Sequence, residues 1–367
     1  MPSKTTTWQL EDHTLGKHRV LRNYMDAWLP KMLQYRRQVL FIDGFAGPGE
    51  YRDGEDGSPI IALKSLVEHS ANKRMRGQIN FVLIEKELDR KKHLEKTIEP
   101  FFPILPEYCN VRVVHSTFVA RMTMILDWFD IRQQALPPSF VMIDPFGVSD
   151  IPMSVIERIM ANPSTEVYIS FMYEAINRFR SHSNFERHLD DLFGCSEWRQ
   201  GLDIPEGRER KNFFYALYEE SLRKAGANFV LFFELYRNER LVYAIFFATQ
   251  RLEGCDVMKR AMWETAPFGD FKFRSGTANQ LTLGLEPTSF APLREALQDE
   301  FGQKGWVTIE DAEEFVMSDK TEFHTGHLKR KTLLPMERDG ELEARSSDPK
   351  RRRGSYKSGT QLRFLTQ

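Results

Sequence analysis

Val39, Leu40, Phe41 and Ile42 form an unbroken apolar run that ends directly in Asp43-Gly44-Phe45-Ala46-Gly47-Pro48-Gly49. A run without polar alternation has no face to offer water, so it reads as a strand buried on both sides of a sheet. The glycines place a tight turn at its end, and Pro59 suits the first turn of a helix over about 58–69. The same alternation repeats downstream. INFVLIEKE (79–87), YCNVRVVHSTF (108–118), SFVMIDPFG (139–147) and TEVYISFMY (165–173) read as further strands, separated by helical stretches such as LDRKKHLEKTIEPFF and ARMTMILDWFDIRQQ. An amphipathic helix over 14–36 precedes the first strand. Strands alternating with helices of ten to fifteen residues imply an α/β fold, Rossmann-like, with a mostly parallel sheet and helices on both faces. Residues 174–227 read as a helical insertion. Segments 227–237 and 240–250 read as two strands joined at Arg237-Asn238-Glu239, an antiparallel pair closing the sheet.

In such sheets ligands bind outside the carboxyl ends of the strands. Asp43, Glu85 and Asp144 each end an apolar strand, and with His115-Ser116 they are expected to face one crevice. The glycine spacing is G-x-x-G-x-G, not the G-x-G-x-x-G of dinucleotide folds, which speaks against a nicotinamide-linked oxidoreductase. The expected ligand is S-adenosyl-L-methionine. Asp43, Gly44, Phe45, Gly47 and Gly49 would wrap its methionine and ribose portion, Glu85 would accept the ribose hydroxyls, and Ser116 would line the same crevice. Lys17 and His18 on the first helix supply a cation for the ligand's carboxylate, or simply a surface pair. Ser58 is expected to cap the helix it opens. Phe171, Met172 and Tyr173 end the fifth strand and would add to the lining.

Asp144-Pro145-Phe146-Gly147 resembles the Asp-Pro-Pro-aromatic motif of amino-methyltransferases, in which the acid orients a target amine and the aromatic stacks on a base. Here Phe146 replaces the second proline and Gly147 takes the aromatic position. Either Asp144, Pro145 and Phe146 form a catalytic edge, or they make a tight turn after a buried strand. The enzyme reading is methyl transfer to nucleic acid, on an exocyclic base nitrogen. The competing reading is a non-catalytic adaptor.

Composition bounds the rest. The net charge of −1 gives the whole chain no pull toward nucleic acid or membrane. From Asp319 to Gln367, however, 12 Lys/Arg stand against 7 Asp/Glu. Cys109, Cys195 and Cys255 are far apart, so a CxxC metal or redox motif is excluded and a reducing, cytoplasmic setting is expected. No metal is expected; His324 and His327 lack a third ligand nearby. Composition shifts near Glu286-Pro287, which suggests a domain of 1–286 followed by one of 287–367. The latter reads as a winged helix-turn-helix. PLREALQDEFGQ is its first helix, Val307-Thr308-Ile309 a strand and EDAEEFVMSD the second helix. The segment near HTGHLKRKTLLPMERDG is the recognition helix, and the remainder is the wing. Lys329, Arg330, Lys331, Lys350, Arg351, Arg352 and Arg353 would then neutralise phosphates of DNA or RNA.

FIDGFAGPG with a nearby GSP, then FVLIEKE and a later DPFG, preceded by WQLEDHTLGKHRVLRNYMDAW, resembles the three-Cys-motif partner protein family over most of residues 8–260. The resemblance implies a methyltransferase-like Rossmann fold with the SAM loop at Asp43, Gly44, Gly47 and Gly49. It also implies a ribose acid at Glu85 and a catalytic edge at Asp144 and Phe146. It further implies a partner carrying three clustered cysteines, similar to radical-SAM iron-sulfur proteins.

Overall fold

The computed structural model describes residues 6–179, 183–237, 240–266, 272–274, 289–346 and 350–365. The chain divides into two compact units, Met1–Arg251 with Lys272–Asn279 and Leu252–Phe271 with Gln280–Gln367.

In the first unit α1 (Asp12–Tyr35) precedes a regular alternation: β1 (Gln38–Asp43), α2 (Ser58–Val67), β2 (Gln78–Glu85), α3 (Leu88–Ile98), β3 (Cys109–His115), α4 (Phe118–Ile131), β4 (Ser139–Ile143), α5 (Met153–Met160) and β5 (Thr165–Phe171). The expected insertion follows as α6 (Tyr173–Phe179), α7 (Ser183–Phe193) and α8 (Arg208–Lys224), and then come β6 (Phe229–Arg237) and β7 (Arg240–Thr249). Asn238 and Glu239 of the expected turn lie outside the described residues.

The strands form one sheet in the order β3-β2-β1-β4-β5-β7-β6, with β8 (Lys272–Arg274) beyond β6. β1 pairs in parallel with both β2 and β4, so the order reverses there. β7 alone runs against its neighbours, β5 and β6. This is a Rossmann-like, mostly parallel sheet, and its switch point lies between β1 and β4, the place where such sheets open a crevice. The central strands are apolar throughout because both faces are covered: every residue of β4 and β5 is buried.

α1 is tied to this sheet at two levels. Tyr24 and Trp28 pack on Phe140, and the Tyr24 hydroxyl donates to Glu166 at 2.7 Å. Higher up, the Tyr168 hydroxyl of β5 donates to the Lys17 carbonyl at 3.0 Å. These contacts fix where the first turns of α1 sit over the carboxyl ends of the strands.

The second unit starts with α9 (Leu252–Thr265), well ahead of the compositional boundary at 286/287, which itself lies outside the described residues. It continues with α10 (Ala291–Phe301), β9 (Trp306–Thr308), α11 (Ile309–Met317), α12 (Thr325–Leu328), a π-helical turn (Lys329–Leu333), α13 (Leu334–Asp339), β10 (Leu342–Arg345) and β11 (Gln361–Phe364). The three strands form an antiparallel sheet, β10-β11-β9. Thr308 and Asp311 close a capping box at the start of α11. At its far end the buried Lys259 of α9 donates to the carbonyls of Val316 and Ser318, which the helix terminus leaves without intrahelical partners, and to that of Thr321 just beyond. α9 belongs here because of that tie, which composition does not display.

Glu166 generates a prediction. Burial pushes its carboxyl up to about 7, against the hydrogen bonds of Tyr24 and Thr249. A raised carboxyl favours the fold below its unfolded pKa, and that contribution is lost as pH rises through 7. Between pH 4.5 and 7 the first unit should lose about 3 kcal/mol from this group. Urea midpoints across that range should show the slope in the native protein and lose it in Glu166→Gln.

Candidate active site and basic C-terminal surface

The glycine loop is folded by contacts that exclude side chains. A Cβ on Gly44 would lie 2.5 Å from the Phe118 ring, so the strand end packs directly on α4. Gly49 holds φ at +86°, and its carbonyl accepts from Gly57 N–H at 2.8 Å, which folds the loop back to the start of α2.

Two cavities open at the carboxyl ends of the strands. The larger, about 270 Å³, is lined by Lys17, His18, Ala46 to Tyr51, Ser58, Asp144, Met172 and Tyr243, with Trp8 over it. The smaller, about 110 Å³, is lined by Glu85, Lys86, Arg90, Ser116, Thr117 and Asp150. Phe45, Pro145 and Phe146 border both. The single crevice expected from sequence is thus two adjoining chambers. Glu85 and Ser116 belong to one, and Asp144 to the other. His115 lines neither, because its exposed ring bonds to the Lys86 carbonyl.

Each strand-end acid is satisfied differently. Glu85 accepts from Gly47 N–H at 2.9 Å and from Glu87 N–H at 2.8 Å, so it braces the glycine loop. Asp43 is completely buried beneath the floor, where it accepts from Ser58 Oγ at 2.7 Å and Phe45 N–H at 3.1 Å. Burial pushes it up to about 6, against those two hydrogen bonds. Asp43 therefore does not touch the cavities, contrary to expectation. Nor does Ser58 cap α2, since its hydroxyl is spent on Asp43 and Gly57 is the capping residue.

Asp144 is paired with Lys17, whose ammonium donates to Oδ2. Burial alone would raise the carboxyl, but the charge and hydrogen bond of Lys17 outweigh it and hold Asp144 below the ordinary value. Burial would likewise lower Lys17, yet Asp144 keeps its pKa well above normal. Lys17, expected as the partner of a ligand carboxylate or as half of a surface pair with His18, is not at the surface: both side chains are buried at the larger cavity, and Lys17 meets an acid of the protein there. His18 beside it is pushed down to about 3, by burial first and then by the Lys17 charge, and is neutral.

Phe146 is 66% exposed. It meets the edge of Trp8 at 5.3 Å between ring centroids, and Trp8 meets Tyr51 at 5.9 Å. The Arg90 guanidinium lies over both Trp8 and Phe146, at 5.0 and 5.2 Å. Sequence reasoning missed Trp8, Tyr51, Arg90 and Tyr243. Two aromatics flanking the loop, Trp8 ahead of α1 and Tyr51 directly after Gly49, were the available signal. Of the three residues expected at the end of β5, Met172 lines the larger cavity, while Phe171 and Tyr173 are core.

In the second unit the basic residues divide. Arg330, Lys331, Lys350, Arg352 and Arg353 are exposed. Lys331 lies over the Phe290 ring at 5.0 Å, and Lys329 pairs with Glu313 at 2.7 Å. Arg351 turns inward with its side chain 11% exposed, bonded to Glu337 and to the Ala344 carbonyl. Glu337 also accepts from Tyr356 Oη and Gly354 N–H, so Arg351 joins the chain after β10 to α13. It is a structural ion pair, not a free phosphate contact. The His324 and His327 rings meet at a tilt, 3.7 Å between centroids, and the His324 ring accepts from Gly326 N–H. Among the described residues no group of three His, Cys, Asp or Glu can hold a metal, and no helix is long and apolar enough to cross a membrane.

No protein-family description matches the chain, and neither does any curated protein. Among solved structures it is similar to Trm1 from Pyrococcus horikoshii in complex with S-adenosyl-L-methionine, at 11% identity over 69% of this chain and 60% of that one, with a TM-score of 0.39. It is also similar to an O-methyltransferase from Bacillus cereus in complex with SAH, at 14% identity over 62% and 80% and a TM-score of 0.31. A third is the putative methyltransferase yhhF from Escherichia coli, at 14% over 63% and 86%, with a TM-score of 0.30. The chain thus spans less than two thirds of the first of these. At such identities and scores these likenesses decide nothing about function, which rests on the site's own geometry.

Arg351 and its neighbours separate by experiment. Arg351→Met leaves Glu337 buried without its cation and should cost about 3 kcal/mol in urea unfolding. Arg352→Ser, at an exposed position, should change stability by less than about 0.5 kcal/mol. Equal effects of the two substitutions would contradict the inward assignment.

Proposed function

We propose that the first unit is a SAM-dependent methyltransferase whose acceptor is an exocyclic amine of a nucleic-acid base. The observation that carries this reading is an Asp144 paired with Lys17 at the β4 end, bordering a cavity that a glycine loop and an exposed aromatic also border. The residues present fit the cofactor. The smaller chamber offers Glu85, whose oxygens keep acceptor capacity beyond their two backbone donors, for ribose hydroxyls. Ser116 and Thr117 offer polar edges for a purine. The glycine loop leads from there into the larger chamber, where the amino-acid portion would lie. Bound there, the cofactor supplies an electrophilic methyl on a sulfonium sulfur.

The chain's own residues do the rest. Asp144 accepts a hydrogen bond from the amine, points its lone pair at the carbon under attack, and accepts the proton the nitrogen sheds. Phe146 and Trp8 present aromatic surface to a base drawn out of its stack, and Trp8 limits water in the chamber. The second unit reads as a winged helix, from its helix-strand-helix-helix-strand-strand order. Its exposed Arg330, Lys331, Lys350, Arg352 and Arg353 would neutralise phosphates.

Tritiated methyl should pass from SAM to an RNA or DNA pool with the native protein. Asp144→Ala should abolish transfer and leave SAM affinity within about twofold, read by calorimetry. Glu85→Ala should weaken SAM binding by about 1.5–3 kcal/mol, the worth of a hydrogen bond to a charged group. Bound SAM without transfer to either pool would count against the enzyme, and equal affinity losses in the two variants would contradict the division of roles.

A further inference from the structure

We propose that Lys17 is the positioning residue of this site: its ammonium holds Oδ2 of Asp144 with an opposite charge and leaves Oδ1 to accept the substrate amine. The inference rests on the methyl-transfer reading for its purpose, but not for its test.

Lys17 and Asp144 are 127 residues apart in sequence and meet only because α1 crosses the carboxyl ends of the strands. The lysine is almost wholly enclosed, whereas the Asp144 side chain keeps 27% of its surface open. A cation this enclosed, held against an acid at the edge of the cavity they both line, is arranged to act on that acid more than to meet solvent. Its backbone is pinned by Tyr168 Oη, and its ammonium lies 5.6 Å from the Tyr243 ring centroid, which limits where the side chain can go. Such a pair is a poor stability device, because removing two charges from water costs about as much as their attraction returns. A methionine of similar length would pack α1 at less desolvation cost.

The chemistry explains the expense. The attacking nitrogen needs an acceptor, which a protonated carboxyl presents poorly. Burial of even part of this acid favours its protonated form unless a cation opposes it. The other groups facing Asp144 do not provide that cation. His18 of α1 is neutral, Asp43 of β1 carries the wrong sign, and Tyr51, Tyr168 and Tyr243 are held above their usual values by burial and stay uncharged. Lys17 alone in this group can do it.

The test is ¹³C-carboxyl NMR of the full chain without ligand, with the Asp144 signal assigned by its loss in Asp144→Asn. Native Asp144 should titrate below the ordinary aspartate range. In Lys17→Met its midpoint should rise by at least about 2 pH units, as burial then acts unopposed, and Lys17→Arg should return it toward the native value. If Lys17→Met does not fold, Lys17→Gln, which keeps a hydrogen-bond donor without the charge, should show the same rise. An unmoved midpoint in whichever neutral variant folds overturns the proposal. If methyl transfer is found, kcat of the neutral variant should fall at mildly acidic pH, where the native protein still turns over, and recover toward neutral pH, with SAM affinity within about twofold of native. A loss of SAM affinity with Asp144 titration unchanged would assign Lys17 to the cofactor instead. A protein that transfers no methyl group but shows the NMR shift would sink the enzyme reading and leave the Lys17–Asp144 assignment standing.

Discussion

A carboxylate taken out of water must be paired, hydrogen-bonded or protonated, and three of them end neighbouring strands of this sheet. The structure answers with a different device each time. Asp43 has a hydroxyl and one backbone amide, and burial still drives it toward its protonated form. Glu85 has two backbone amides, one of them from the loop it supports. Asp144 has a full opposite charge. These devices separate the acids by role. The first is a strut under the floor, the second braces the loop and edges one chamber, and the third is held charged at the edge of the other.

The topology decides where this happens. Because β1 is flanked by β2 on one side and β4 on the other, the helices that follow these strands leave on opposite faces and part above the switch point. The chambers sit in that gap, with Phe45, Pro145 and Phe146 as the wall between them. α1 is the added element. It lies outside the repeating strand-helix units, yet it brings Lys17 and His18 to the larger chamber and anchors lower down through Tyr24 and Glu166. A break in either anchor would move a charge at the site.

Much of this frame was legible in the chain itself. Runs such as Phe140 to Ile143 admit few alternatives to a doubly covered strand, and acids at strand ends point to the carboxyl edge. The C-terminal helices also fell close to their expected places, as did the strand at Trp306–Thr308. What sequence could not display was partnership. Nothing local ties Lys17 to Asp144 or Lys259 to the end of α11, since each pair is joined only by folding. Arg351 and Arg352 look alike in a basic run, but one is buried against Glu337 and the other faces water. Ser58 before a proline looks like a cap until Asp43 is seen beneath it. The single expected crevice became two because side-chain bulk at Phe45 and Phe146 is invisible to a pattern of acids and glycines.

A crystal structure of the chain soaked with S-adenosylhomocysteine tests the central claim most directly, since that molecule must span both chambers. The account predicts the adenosine beside Glu85 and Ser116, the thioether passing Phe45, and the amino-acid end in the chamber of Asp144, with the Lys17–Asp144 pair intact. Density for the ligand anywhere else, or a Lys17 ammonium swung from Asp144 onto the ligand carboxylate, would contradict it.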